Sequence, residues 1–230
     1  MFLSNWFDRL YETFIAKDNY LLLIEGFKNT IIITVFALLL GVAIGTLISV
    51  VKFLAEESKP LRPLAKICDA YVTIIRGVPV VVLLLIFYFV ILKSAEGIVT
   101  AIVTFGINSG AYMAEIIRSG IDAVDGGQTE AARSLGLTRL QAVRHVVLPQ
   151  AIKNILPAIG NEMIALLKET AVAGYVAVRD LTRSANLIRN NTFDAINPLM
   201  LTAIVYLVLV LIMTSFMRKL EKRLRRGDMR

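Results

Sequence analysis

A single cysteine, Cys68, and a single histidine, His145, stand among the 230 residues. A lone thiol excludes a disulfide framework and a paired-cysteine metal site. A histidine-based metal cluster or a Ser-His-Asp triad would have to use His145. That residue follows Arg144 in a basic hydrophilic stretch and reads as a solvated surface group. No metal site is expected. The sequence has no GxxxxGK[ST] phosphate loop, so it cannot cradle ATP in that way, and no HExxH pattern. Internal repeats are absent too. The start of the chain does not read as a cleavable signal peptide, because Asp8, Glu12, Asp18 and Glu25 interrupt its apolar residues.

What the sequence has in excess is apolar length. Hydrophobic residues make up 57% of the chain and the mean hydropathy is +0.69, above what a soluble domain of this size carries. They are clustered. Residues 30–51, 78–92, 98–114 and 199–217 are four runs without charge. A helix needs roughly 20 apolar residues to cross the hydrocarbon core. The first and last runs meet that alone, and the second by borrowing from residues 65–75. A fifth stretch, 151–167, is apolar but carries Lys153, Asn161 and Glu162. In a transporter, such a span faces a pathway and not lipid. The fold class predicted is therefore all-α integral membrane with five transmembrane helices.

Charge sets the orientation. With five spans, the loops 52–76 and 116–153 and the tail after Met217 share one side and hold 17 of the 25 Lys and Arg. The positive-inside rule places that side in the cytoplasm, the N-terminus outside and the C-terminus inside. The net charge of +7 is then a matter of topology. The basic tail reads as an anchor on anionic lipid and not as a nucleic-acid site. The predicted organisation is an N-terminal amphipathic segment over 1–25, a permease domain over 26–220, and a basic cytoplasmic tail over 221–230. Within the first segment, Trp6, Phe7, Leu10, Tyr11 and Phe14 recur at helical spacing, as in a helix lying on the membrane surface.

The loop 122–149 carries the densest local signals. Asp125 is a fair N-cap with Gln128 as its N3 partner. Glu130 falls in the first turn of the helix that follows, where the dipole favours an acid. Gly136 supplies a left-handed C′ residue. Thr138 and Gln141 form a second capping box, and Pro149 ends the second helix or starts the next. Two short helices joined at a glycine hinge are predicted. A solvent loop gains little from such capping unless it must hold a shape.

Glu130-Ala131-Ala132, Gly136, Val146 and Leu148-Pro149 have the spacing of Glu-Ala-Ala-x3-Gly-x9-Ile-x-Leu-Pro. The chain therefore resembles the membrane permeases of bacterial ABC importers, whose cytoplasmic loop carries that pattern, with Val146 where Ile is usual. Further blocks are similar to the branch that handles histidine, glutamine, glutamate and arginine. They are Arg76-Gly77-Val78-Pro79, Gly110-Ala111-Tyr112 with Ala114-Glu115-Ile116 and Arg118, Leu148-Pro149-Gln150-Ala151, Asn161-Glu162, and Leu167-Lys168-Glu169-Thr170. The last departs from the branch, which has Asp-Thr-Ser after the lysine. The resemblance implies a type I importer permease in the bacterial cytoplasmic membrane. It implies pairing with a second copy or a close paralogue, and two cytoplasmic ATPases that hold the ATP and magnesium, leaving no cofactor on this chain. It implies an extracytoplasmic binding protein or lipoprotein that delivers a polar amino acid. The chain itself is expected to be no enzyme.

Site residues follow from depth and face. Asn108 and Tyr112 are i, i+4 on the third span, and Asn161 and Lys168 are i, i+7 on the fourth. Glu162 lies roughly 18 Å into the membrane, at 1.5 Å per residue. An amino-acid zwitterion needs a cation such as Lys168 at its carboxylate, and acceptors such as Asn108, Tyr112 or Glu162 at its ammonium. A structural Glu–Lys or Glu–Arg pair is the other reading of Glu162. Arg76, with Gly77 and Pro79 breaking the helix, is an anchor or a gate. Glu115 and Arg118 are expected to pair along one helix. Glu130, Ala131, Ala132, Gly136, Leu148 and Pro149 are expected to couple to the ATPase, with Leu135, Leu137 and Leu140 as apolar contacts. A secondary transporter or channel would need no loop of fixed shape. A membrane-embedded enzyme would need a nucleophile or metal set that the sequence lacks.

Overall fold

The computed structural model describes residues 9–225, and every regular element among them is helical. Trp6, Phe7 and the tail after Arg225 lie outside the described residues. The helices are α1, Asn19–Glu57; α2, Arg62–Gly77; α3, Val80–Ile86; α4, Gly97–Asp122; α5, Gly126–Ser134; α6, Arg139–Ala142; α7, Leu148–Glu169; α8, Leu181–Thr192; and α9, Ile196–Arg225. Wide π-type turns extend α3 over Phe87–Ile91 and α6 over Val143–Val147, and another forms Tyr11–Ile15.

α1 is longer than its uncharged run. Its 39 residues span roughly 58 Å at 1.5 Å each, well beyond the ~30 Å hydrocarbon core. The uncharged stretch marks where lipid lies, and the helix continues through Glu25, Lys28 and Lys52 because nothing local stops it. Its start follows Asp18, which takes the left-handed conformation at φ 53, and the Asn19 amide donates to the Thr13 carbonyl at 2.7 Å. Its end precedes Ser58-Lys59-Pro60, where proline at the head of a short 3₁₀ turn blocks continuation. Pro79 likewise separates α2 from α3.

By length and apolarity, Asn19–Glu56, Gly97–Asp122 and Ile196–Leu224 each suffice to cross a membrane, and the broken pair Lys59–Gly77 and Val80–Ile91 makes a fourth. α7 is long enough, but Gln150, Lys153, Asn154, Asn161 and Glu162 interrupt it and it is not counted by composition. The described chain thus holds three to four spans of this kind, against the five expected.

Two compact units divide the chain, with boundaries inside α1, α4, α7 and α9. One takes the described residues up to Leu38, together with Val78–Gly106 and Ala165–Ile212. Its core is Ile33, Leu84, Phe105, Leu166 and Val176, all fully buried. Asp180 caps α8 there, accepting from the backbone N–H groups of Gly174 (2.9 Å) and Arg183, while Leu181 N–H donates to Thr30 Oγ1 at 3.1 Å. Burial pushes the Asp180 carboxyl up to about 6, against the opposing bonds from the Arg183, Gly174 and Thr182 backbone.

The other unit takes Leu39–Gly77, Ile107–Ile164 and the chain from Met213 onward. Ile48, Val72, Ala111 and Ala114 form its core, with Ile44, Cys68, Tyr71 and Ile75 against them. Gly41 and Gly45 let α1 lie directly on α4. A β-carbon on Gly45 would fall 2.7 Å from the Ala114 nitrogen and against Met113 Cβ, and one on Gly41 would fall 2.8 Å from Ser109 Cβ. Small residues at four-residue spacing allow this backbone approach.

Candidate functional site

The loop between α4 and α7 has its shape set by its own short-range bonds. Asp125 caps α5, its carboxylate accepting from Gly127 N–H at 2.9 Å. Gln128 does not return to the cap; its side chain lies 3.5 Å from the Gln150 amide. Gly136 takes φ +88, and around it Gly136 N–H donates to Arg133 O (3.0 Å) and Leu137 N–H to Ala132 O (3.2 Å). Thr138 then caps α6 reciprocally with Gln141: Thr138 N–H donates to Gln141 Oε1 at 2.8 Å, and Gln141 N–H to Thr138 Oγ1 at 3.3 Å. The loop turns Ala132 and Ala142 inward and leaves Glu130, Ala131, Leu148 and Pro149 exposed. Leu135 and Leu140 are 86% and 66% exposed, while Leu137 is half-buried. Two large apolar side chains offered to solvent from a capped turn form a surface suited to docking. His145 is exposed, in keeping with a solvated surface residue.

A charged cavity of about 610 Å³ opens in the same unit, lined by Lys52, Asp69, Thr73, Arg76, Tyr112 and Glu115. The Arg76 guanidinium carbon lies 5.2 Å from the Tyr112 ring centroid, and its Nη1 lies 3.9 Å from Glu115 Oε2. Glu115 also accepts from Arg118 Nε at 3.0 Å, and Arg118 Nη1 reaches Asp122 at 2.7 Å. Lys52 Nζ and Asp69 Oδ1 pair at 2.7 Å. Arg76, Tyr112, Glu115 and Arg118, assigned to different roles on the sequence, therefore meet in one place. Lys52 and Asp69 were not singled out, although Lys52 ends the first uncharged run and Asp69 lies within the expected second span.

Of the other candidates, Asn108 is 3% exposed and Lys168 is exposed. Glu162 accepts from Ser109 Oγ at 3.0 Å, across 53 residues of sequence. The group that meets it is a neutral hydroxyl from α4, where the sequence suggested a cation. Ser109 was missed because one serine in an uncharged run carries no sign of the helix it faces. Gly77 has open space where a β-carbon would stand, so its neighbours do not demand a glycine.

Several helices long and apolar enough to cross a bilayer mark a multi-pass membrane protein. The chain belongs to the family described as binding-protein-dependent transport system inner membrane component, which matches residues 41–226. It is 36% identical over 210 residues to the arginine transport system permease protein ArtQ of Bacillus subtilis (strain 168), covering 90% of this chain and 94% of that one. It is 36% identical over 208 residues to the putative glutamine transport system permease protein GlnP of Rickettsia bellii (strain RML369-C), covering 89% and 93%. Among solved structures, an amino acid ABC transporter with histidines superposes at a TM-score of 0.84 with 39% identity, over 91% of this chain and 98% of that one. The MetNI methionine ABC transporter, at 0.78 and 22% identity over 91% and 99%, shares the fold. This chain is an inner-membrane permease component with the type I importer fold.

Proposed function

We propose that this chain is the membrane-spanning subunit of an ATP-driven importer that carries a polar amino acid into the cell. An extracytoplasmic binding protein delivers the substrate, and separate ATPase subunits hold the ATP and magnesium, so this chain needs no cofactor and catalyses no hydrolysis. The observation that carries the reading is the loop around Gly136, capped at both ends and offering Leu135 and Leu140 to a second protein. The printed names of the relatives, arginine and glutamine permeases, support an amino acid as cargo.

In this reading five segments cross the bilayer: α1, the α2–α3 pair, α4, α7 and α9. The N-terminus lies outside, with 1–25 as a surface segment, 26–220 as the permease domain and 221–230 as a cytoplasmic tail. The loop 122–149 faces the cytoplasm, where Glu130, Ala131, Ala132, Gly136, Leu148 and Pro149 meet the ATPase. Asn108, Tyr112, Glu162 and Lys168 bind substrate, and the Arg76–Glu115–Arg118 cluster steadies or gates the path. A second permease subunit, identical or closely similar, completes the complex.

The test is reconstitution in lipid with an ATPase subunit and a binding protein from the same organism. Each amino acid in turn is scored for stimulation of ATP hydrolysis and for uptake. Stimulation and uptake by a polar amino acid are expected. Uptake that follows an ion gradient without ATP, or failure of the ATPase to co-purify, would overturn the reading in favour of a secondary transporter or channel.

A further inference from the structure

Arg139 opens α6, three residues after the Gly136 turn, and reaches back to the end of α1. It forms an ion pair with Glu56, and its guanidinium carbon lies 4.9 Å from the Phe53 ring centroid. Phe53 and Glu56 are three apart on α1 and share one face. A planar guanidinium can stack on a ring and pair with a carboxylate at once, which a lysine cannot do equally well. One residue before Phe53, Lys52 pairs with Asp69 on α2. α2 carries Arg76 two turns beyond Asp69, near its C-terminus, and Arg76 stacks on Tyr112 and faces Glu115 on α4. All these contacts lie within one compact unit. Outside the capping bonds, Arg139 is the loop residue whose described contacts reach furthest in sequence, to a helix 83 residues earlier.

We propose that Arg139 is the positioning residue through which movement of the α5–α6 loop enters the membrane helices. It does so by gripping Phe53 and Glu56 at the end of α1, from which Lys52–Asp69 and Arg76 carry the displacement to the Tyr112–Glu115 cavity. The inference rests on the importer reading above and adds the route by which the loop acts. The grip is exposed, with Glu56 at 62% and Arg139 at 32% side-chain accessibility, so it contributes little to folding. Its value is geometric. Two contacts of different kind, one electrostatic and one with a ring face, hold a side chain in direction as well as distance.

The experiment uses the reconstituted complex with its ATPase subunits and amino-acid-loaded binding protein. Arg139→Ala should lower the ratio of substrate-stimulated to unstimulated ATP hydrolysis about fivefold, the lower end of couplings between sites. Co-purification of the ATPase should be unchanged. Arg139→Lys should fall between the two, and Arg139→Glu should be partly rescued by Glu56→Arg. Raised potassium chloride should weaken stimulation of the wild type more than of Glu56→Gln, because exposed ion pairs are screened. A wild-type ratio in Arg139→Ala overturns the proposal. So does loss of the ATPase from the Arg139→Ala complex, since the residue would then be a docking element. A wild-type complex that shows no stimulation with any amino acid overturns the importer reading itself, and this inference with it.

Discussion

Replacing Gly136 by valine tests whether the loop works as a rigid lever. The glycine holds φ +88, and a β-carbon added there would meet nothing within 4 Å. The cost is therefore torsional and not steric. For an ordinary L-residue in the left-handed region it is about 1–2 kcal/mol, and a β-branched side chain sits there worst of all. That energy corresponds to a factor of roughly 5–30 in the population of the turn that joins α5 to α6. The backbone bonds Gly136 N–H to Arg133 O and Leu137 N–H to Ala132 O should loosen in proportion. Gly136→Asn is the control, since asparagine tolerates the left-handed region through its short polar side chain. The assay is ATP hydrolysis stimulated by loaded binding protein, read beside hydrogen exchange at the Leu137 amide. Gly136→Val should lose most of the stimulation and protect Leu137 less, while Gly136→Asn should stay near the wild type. Normal transport by Gly136→Val would refute the lever, and equal loss in both variants would refute the torsional argument.

Gly45→Leu should separate α1 from α4, because the clash is with the backbone of Ala114 as well as with Met113. Overpacking of this kind costs about 1–3 kcal/mol, and thermal exposure of Cys68 to a thiol dye should begin at lower temperature than in the wild type. At Asp180 the folded carboxyl titrates at about 6 and the unfolded one near 4. Between those values the unfolded chain loses its proton first, so stability should fall as pH rises through that window and level off above about 6. Thermal midpoints of Asp180→Asn should lack that slope. With Cys68 replaced by serine, Ser94→Cys should react with an impermeant maleimide on intact cells and Ser134→Cys should not; the reverse pattern would invert the proposed topology. Glu162→Gln preserves the acceptor facing Ser109 and removes the charge. It should abolish most uptake while the complex still assembles, and loss of the assembled complex would instead mark Glu162 as a structural residue.

Much of the loop was legible because its structure is local. The Asp125 cap, the Gly136 turn and the Thr138–Gln141 box each depend on residues at most five positions apart. The Glu115–Arg118 pair is legible for the same reason. Helix ends were less so. The uncharged run 30–51 marks the part of α1 suited to lipid, whereas the helix runs from Asn19 to Glu57, because charged residues at a membrane surface do not interrupt helical hydrogen bonding. α7 was legible as a polar-interrupted helix, and its polarity keeps it out of any count by composition.

The sequence by itself determined the class of protein, the apolar helices and the stiff loop, since apolar length and short-range capping act along the chain. Which side chains meet was decided only by tertiary structure. Ser109 and Glu162 are 53 residues apart, Tyr71 reaches the Ile107 carbonyl at 2.6 Å across 36, and Arg139 reaches Glu56 across 83. These pairings depend on how each helix is rotated about its axis and how closely its neighbours approach. That closeness is set at Gly41 and Gly45, where backbone rests on backbone. A periodic pattern tells which residues share a face of one helix, but not which face of another helix lies opposite, because that is fixed by the summed packing of every contact in the unit.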